Sequence, residues 1–156
     1  MLQLQQKKPA KPNREVAQAL EALTISDNAS ARHLATKALV NWATPESADA
    51  LLKLLDDKSP IVRGPAMAAL GKLKHKEAIP LIAARLGSLQ DRVQARGVLL
   101  AIGSDAEGEV RKQLESAEWQ TRYEACKILK TIGTKESAPA LEKLLNDPQP
   151  LVKQTA

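Results

Sequence analysis

The sequence predicts an all-α fold built as a stacked array of two-helix units, and three observations predict it. First, a basic residue recurs at Arg32, Arg63, Arg92, Arg122 and Lys153, at spacings of 31, 29, 30 and 31 residues. Second, the same small and apolar residues follow each mark. Three residues on stand Ala35, Ala66, Ala95, Ala125 and Ala156; six on, Ala38, Ala69, Val98 and Ile128; seven on, Leu39, Leu70, Leu99 and Leu129; ten on, Trp42, Leu73, Ile102 and Ile132. Offsets of 3, 6, 7 and 10 trace one face of an α-helix. Third, no stretch alternates apolar and polar residues for long, and β-branched residues are sparse, so no strand pattern competes. A four-helix globule would not need the same offsets repeated, whereas a stacked array does, because each helix pair buries its face against its neighbours.

The elements follow in order. A leading helix is expected over 14–24 and a first A helix over 29–42. Ala48, Leu51 and Leu55 then place a B helix over 46–56, with Thr44-Pro45 as its capping hydroxyl and first-position proline. Ser59-Pro60 opens A2 over 60–73, where Pro65 predicts a bend or a late start. B2 is placed over 76–86, A3 over 89–102 and B3 over 105–115, the last with Ser104 and Glu107 at capping-box spacing. A4 over 118–132 and B4 over 136–146 complete four pairs, and a stub over 150–156 begins a fifth. Gly103 and Gly133 sit where a left-handed residue would end an A helix, and Gly87 does so for B2.

Composition narrows the function. The chain has 156 residues, 44% hydrophobic but only 2% aromatic, and a formal net charge of +5. A single Cys126 excludes a disulfide scaffold and a multi-cysteine metal site. Three aromatic residues are too few for a base-stacking platform. Residues 1–13 read as a flexible basic linker ahead of an array over 14–156. Lys7, Lys8, Lys11 and Arg14 supply most of the net charge, and from Glu15 onward 19 basic residues face 18 acidic ones. The array is therefore near neutral, and nucleic acid is not the expected partner. No signal sequence and no apolar run of about 20 residues is present, which points to the cytoplasm. The fifth A helix stops at its packing Ala156 without a polar cap, the pattern expected of a piece of a longer polypeptide.

An arginine followed by Ala, Ala-Leu and an apolar residue, then a second helix ending Leu-Leu-x-Asp, resembles HEAT-like repeats. The short form found in phycobilin lyase-type proteins is the nearest in kind. The match is clearest at Val62-Arg63 with Ala69-Leu70-Gly71 and from Ala138-Pro139-Ala140-Leu141 to Asn146-Asp147-Pro148, and it extends over residues 28–156. The resemblance implies an α-α superhelix, a right-handed solenoid with A helices convex and B helices concave. It also implies several possible roles, from scaffold to lyase-like protein to hydroxylase. The hydroxylases of that family use His-Glu pairs, but here Leu34 follows His33 and Lys76 follows His75. Both histidines are read as solvent-facing and Cys126 as a small packing residue.

No hydrolase, phosphate-loop or zinc-protease motif is present; the chain reads as non-enzymatic, with no catalytic residue, metal or cofactor. The expected function is a protein-interaction or scaffold module whose B helices present polar rows to another protein or peptide. Asp49, Lys53 and Asp56 of B1, Lys112 and Glu115 of B3 and Lys143 of B4 are the candidate contacts. Trp119, opening A4, is a candidate anchor. The arginine row is read as an inter-repeat ladder pairing with turn acids such as Asp57 and Asp147. Two alternatives stand beside this: weak nucleic-acid binding through the basic tail and the arginine row, and an accessory lyase- or chaperone-like role on a tetrapyrrole-bearing protein.

Overall fold

The computed structural model describes residues 12–156, and these divide into two compact units, the first ending at Ala78 and the second Ile79–Ala156. The basic linker read over 1–13 lies outside the described residues up to Lys11.

In the first unit, α1 (Arg14–Leu23) is capped by Asn13, whose side chain accepts from the Val16 N–H at 3.1 Å. Helix α2 (Ala29–Trp42) is capped by Asn28, which accepts from Ser30 and Ala31. The B segment is a short 3-10 turn, Pro45–Ser47, followed by α3 (Ala48–Leu54). Helix α4 (Pro60–Lys72) packs on α2 and α3. The core of this unit holds Leu20, Leu39, Leu51, Val62, Met67 and Leu70, fully buried, with Trp42 beside them.

Helix α4 starts at Pro60 and runs through Pro65, so the late start expected of A2 does not occur. Pro65 has no N–H for the carbonyl of Ile61, four residues back. That carbonyl accepts instead from His33 Nδ1 on α2, at 2.6 Å. His33 is half-buried and engaged rather than solvent-facing, and His75 is also half-buried. Helix α4 ends in a left-handed residue: Lys74 has φ 53°, its N–H bonds to Gly71 and the His75 N–H to Leu70. This pairing satisfies the last carbonyls of the helix.

The second unit takes α5 (Ala78–Ala84) with the 3-10 turn Arg85–Gly87, α6 (Arg92–Ile102), and α7 (Glu107–Lys112) between 3-10 turns. Next come α8 (Trp119–Ile132), the turn Lys135–Ser137 with α9 (Ala138–Leu144), and α10 (Pro150–Thr155). Helix α8 packs on α6, α7 and α10 around buried Leu86, Leu99, Val110, Ile128 and Val152.

The small residues three past each mark in the four full units, and the apolar pairs at six and seven, are buried as the periodicity requires. At ten past the mark only Trp42 is buried; Leu73, Ile102 and Ile132 are half-buried. The B4 positions differ more. Ala138 is exposed, Leu141 half-buried and Leu145 exposed, so the register that buries the B1 residues does not bury those of B4.

Several caps are built otherwise than their spacing suggests. Ser59 holds the N-cap position but its hydroxyl makes no cap bond; its own N–H donates to Asp57. Ser104 and Glu107 form no capping box, because Glu107 reaches forward to the next B segment. Gly103 has φ 80° and needs to be glycine, whereas Gly133 has φ −70°. Gly133 is required for another reason: a Cβ there would stand 2.4 Å from the Leu129 carbonyl oxygen. Gly87 is likewise not left-handed.

Candidate functional site

The polar residues of this chain do two different jobs. The arginine row is structural. Arg32 donates from Nε and Nη2 to both carboxylate oxygens of Asp57, at 2.7 and 3.0 Å, and Arg122 grips Asp147 the same way at 2.6 and 2.9 Å. Each acid stands 25 residues past its arginine, in the turn that opens the next A helix. A fork of two parallel N–H donors matches a carboxylate better than a lysine would. The same arginines donate to turn carbonyls, Arg32 to Ser26 and Asp27, Arg122 to Ser116 and Ala117. Arg92 reaches Leu86 and Gly87 alike, and Arg63 reaches the Asp57 carbonyl. The arginine forks hold the Asp57 and Asp147 carboxyls below the usual carboxylate range.

Glu107 is a second structural acid. Its buried carboxylate accepts from the Ser137 hydroxyl at 2.6 Å and from the Thr134 N–H at 2.8 Å, tying α7 to the start of the B4 segment. The Ser137 hydroxyl first, then Thr134, keeps its carboxyl low. Cys126 is fully buried, in keeping with a small packing residue, and burial pushes its thiol up to about 11, which makes it unreactive.

The candidate contacts on the B helices lie at the surface. Asp49, Lys53, Asp56, Lys112, Glu115 and Lys143 are all exposed. Lys112 pairs with Glu109 at 2.6 Å along its own helix. Asp49 and Lys53 line a common hollow of about 300 Å³. Its other walls are Glu21, Thr24 and Ile25 from the end of α1, with Glu46, Ala50 and Leu54 from the B1 segment. Ile25 is 85% exposed at this opening, an apolar side chain that its own unit leaves uncovered. The rim carries three carboxylates, Glu21, Glu46 and Asp49, against Lys53 and the nearby Arg14, which bonds Glu21 at 2.7 Å. Thr44 and the local backbone, with the charge of Arg14, keep the Glu46 carboxyl below its ordinary range. The leading-helix wall was not legible from the periodicity, because α1 lies before the first mark. The isolated apolar Ile25 between polar neighbours was the one signal of it. Trp119 stands apart from these residues, half-buried in the first turn of α8.

Among the described residues no cluster of His, Cys, Asp and Glu gathers to hold a metal ion, and no helix is long and apolar enough to cross a membrane.

Paired helices repeated at near-constant spacing, with an arginine–carboxylate fork at Arg32–Asp57 in the first unit and at Arg122–Asp147 in the second, define an all-α helical-repeat protein of the solenoid class. The chain belongs to the HEAT repeats family, whose model matches residues 16–103 and 108–156. Among solved structures, it is similar to the complex of CpcE and CpcF of phycocyanin lyase from Nostoc sp. PCC7120. That likeness has a TM-score of 0.57 at 18% identity and covers 92% of this chain and 96% of that one. It is also similar to an engineered protein, with a TM-score of 0.51 at 22% identity over 89% of this chain and 75% of the other. Both likenesses are of fold. No curated protein matches the sequence significantly.

Proposed function

We propose that the chain is a non-catalytic protein-interaction module whose first unit holds a segment of a partner protein in the hollow between α1 and α3. The observation that carries this is the 85% exposed Ile25 beside Ala50 and Leu54, ringed by Glu21, Glu46 and Asp49. An apolar floor with an acidic rim suits an apolar side chain flanked by lysine or arginine: burial supplies affinity and the rim supplies selectivity. Asp56, one turn beyond Lys53 and exposed, extends the polar row along which such a segment would lie. Lys112, Glu115 and Lys143 play the equivalent part on the B segments of the second unit. HEAT repeats as a class mediate protein interactions, which agrees with this reading. The alternative of an accessory role on a tetrapyrrole-bearing protein has its support in the fold likeness to the CpcE and CpcF complex.

The test is a titration of the 15N-labelled chain with a short peptide carrying one leucine between lysines, followed by NMR. Shifts confined to Ile25, Asp49, Ala50 and Leu54, and lost in Asp49→Lys, support the reading. Shifts spread over the surface, or unchanged in that variant, overturn it.

A further inference from the structure

The A helices of the second unit carry a feature that their role in packing does not use. Counted from the marks Arg92 and Arg122, positions −3, +1 and +5 fall in file along one side of each helix. In α6 and the turn before it the file is Leu89, Val93 and Gly97; in α8 it is Trp119, Tyr123 and Lys127. Leu89 is 83% exposed and Val93 69%, while Trp119 and Tyr123 are half-buried. The two helices are stitched alongside these files by Arg96, which donates to Glu124 at 2.8 Å. In the first unit the same positions hold Ala29, His33 and Lys37, then Pro60, Gly64 and Ala68, all small or polar. Large apolar side chains at these offsets are therefore a property of the second unit, not of the repeat.

Two details describe the surface along these files. A Cβ at Gly97 would meet nothing within 4 Å, so the floor of the first file is clear. Lys127 lies over the Tyr123 ring, 5.1 Å from its centroid, and so places a cation at the end of the second file. Lys130, exposed, follows on the same side of α8. Helices α6 and α8 together hold Arg92, Arg96, Arg122, Lys127 and Lys130 against one acid, Glu124. Arg122 is taken by Asp147, and Glu124 is shared between Arg96 at 2.8 Å and Lys127 at 4.0 Å, so that Arg96, Lys127 and Lys130 together with this one carboxylate leave the rim net positive.

We infer that Leu89, Val93, Gly97, Trp119 and Tyr123 form a second docking surface, for an acidic segment of another protein with apolar residues along one side. The apolar residues of that segment lie on Leu89, Val93 and Trp119, the kind of aromatic-anchored patch that dominates binding energy. Its carboxylates meet Lys127 and Lys130, towards the C-terminal end of α8. Two exposed aliphatic side chains favour a protein segment over a nucleic acid, which would gain nothing from Leu89 and Val93.

The probes are two synthetic amphipathic peptides with the same leucine face, one with glutamates on the polar face and one with lysines. Binding to the full chain is followed by NMR at the Trp119 indole N–H and the Gly97 amide. The inference predicts that the glutamate peptide binds at least tenfold more tightly than the lysine peptide. It also predicts that Gly97→Gln and Lys127→Glu each weaken binding tenfold or more with no loss of thermal stability. Asp49→Lys leaves this binding unchanged, so its failure and that of the α1–α3 hollow are separate outcomes. Equal binding of both peptides, or binding unaffected by Gly97→Gln, overturns it. Tighter binding of poly-uridine RNA or of phosphatidylserine vesicles overturns it too.

Discussion

The imidazole Nδ1 of His33 donates to the carbonyl oxygen of Ile61 at 2.6 Å. That carbonyl is the one Pro65 deprives of its helical donor, so a side chain from the neighbouring helix completes the hydrogen bonding of α4. Since a carbonyl only accepts, Nδ1 is the donor in this bond. His33→Ala is expected to lower stability by about 1 kcal/mol. Pro65→Ala restores the missing N–H and raises stability by about 1–3 kcal/mol. In the double variant the cost of His33→Ala shrinks, and a double-mutant cycle in urea measures the coupling. Independent, additive effects would show that His33 does not compensate the proline.

The Arg122 and Asp147 side chains are largely buried, 11% and 3% exposed. Asp147→Ala strands the guanidinium and is expected to cost about 3 kcal/mol by chemical denaturation. A loss below 0.5 kcal/mol would mean that the fork adds nothing to the array.

Asp57, Asp147 and Glu107 all have carboxyls held below their ordinary range. A carboxyl depressed in the folded state adds stability above its unfolded pKa and loses it as pH falls through the folded value. Stability is therefore expected to be flat near neutrality and to fall as pH drops below about 4. Thermal melts from pH 7 to pH 2.5 follow this. Asp147→Asn should flatten the acid side of the profile, and an unchanged acid limb would count against the pairing.

Glycines and turns give opposite signs at different places. Gly97 and Gly108 sit in helices with open space at the Cβ, so alanine at either is expected to stabilise by about 0.5–1 kcal/mol. Gly103→Ala meets φ 80° and is expected to cost about 1–3 kcal/mol. Lys74→Gly relieves a left-handed lysine and should gain up to about 1 kcal/mol. Melting temperatures of the four variants separate these signs directly.

Cys126 is buried and its thiol is pushed up to about 11 by burial. Reaction with a disulfide reagent at pH 8 is expected to be slow in the native chain and fast in denaturant. Rapid labelling of the native protein would show that α8 opens readily.

Much of this fold was legible because packing repeats and chemistry does not. Residues at offsets 3, 6 and 7 had to be buried in every full unit, so Ala35, Leu70, Val98 and Ile128 could be placed from spacing alone. The Asp57 and Asp147 partners were legible too, as turn acids within reach of the arginine row, although Arg92 is given carbonyls instead. What spacing could not give lies at interruptions of the repeat. Pro65 reads as a helix breaker unless one knows that His33 from another helix serves the orphaned carbonyl. Glu107 looks like a local cap but spends its carboxylate 27 and 30 residues downstream, on Thr134 and Ser137. Of the candidate site, Asp49 and Lys53 were found as row positions; the wall from α1, with Ile25, belongs to no repeat and left no periodic trace.

The central claim is that the first unit binds protein segments through the hollow beneath Ile25. Selection of a displayed random-peptide library on the folded chain tests it most directly, run in parallel on Ile25→Asp and Asp49→Lys. The account predicts that the wild-type chain enriches peptides with an apolar residue flanked by lysine or arginine, and that both variants lose that enrichment. Enrichment of such peptides on all three chains alike, or of none on the wild type, would contradict it.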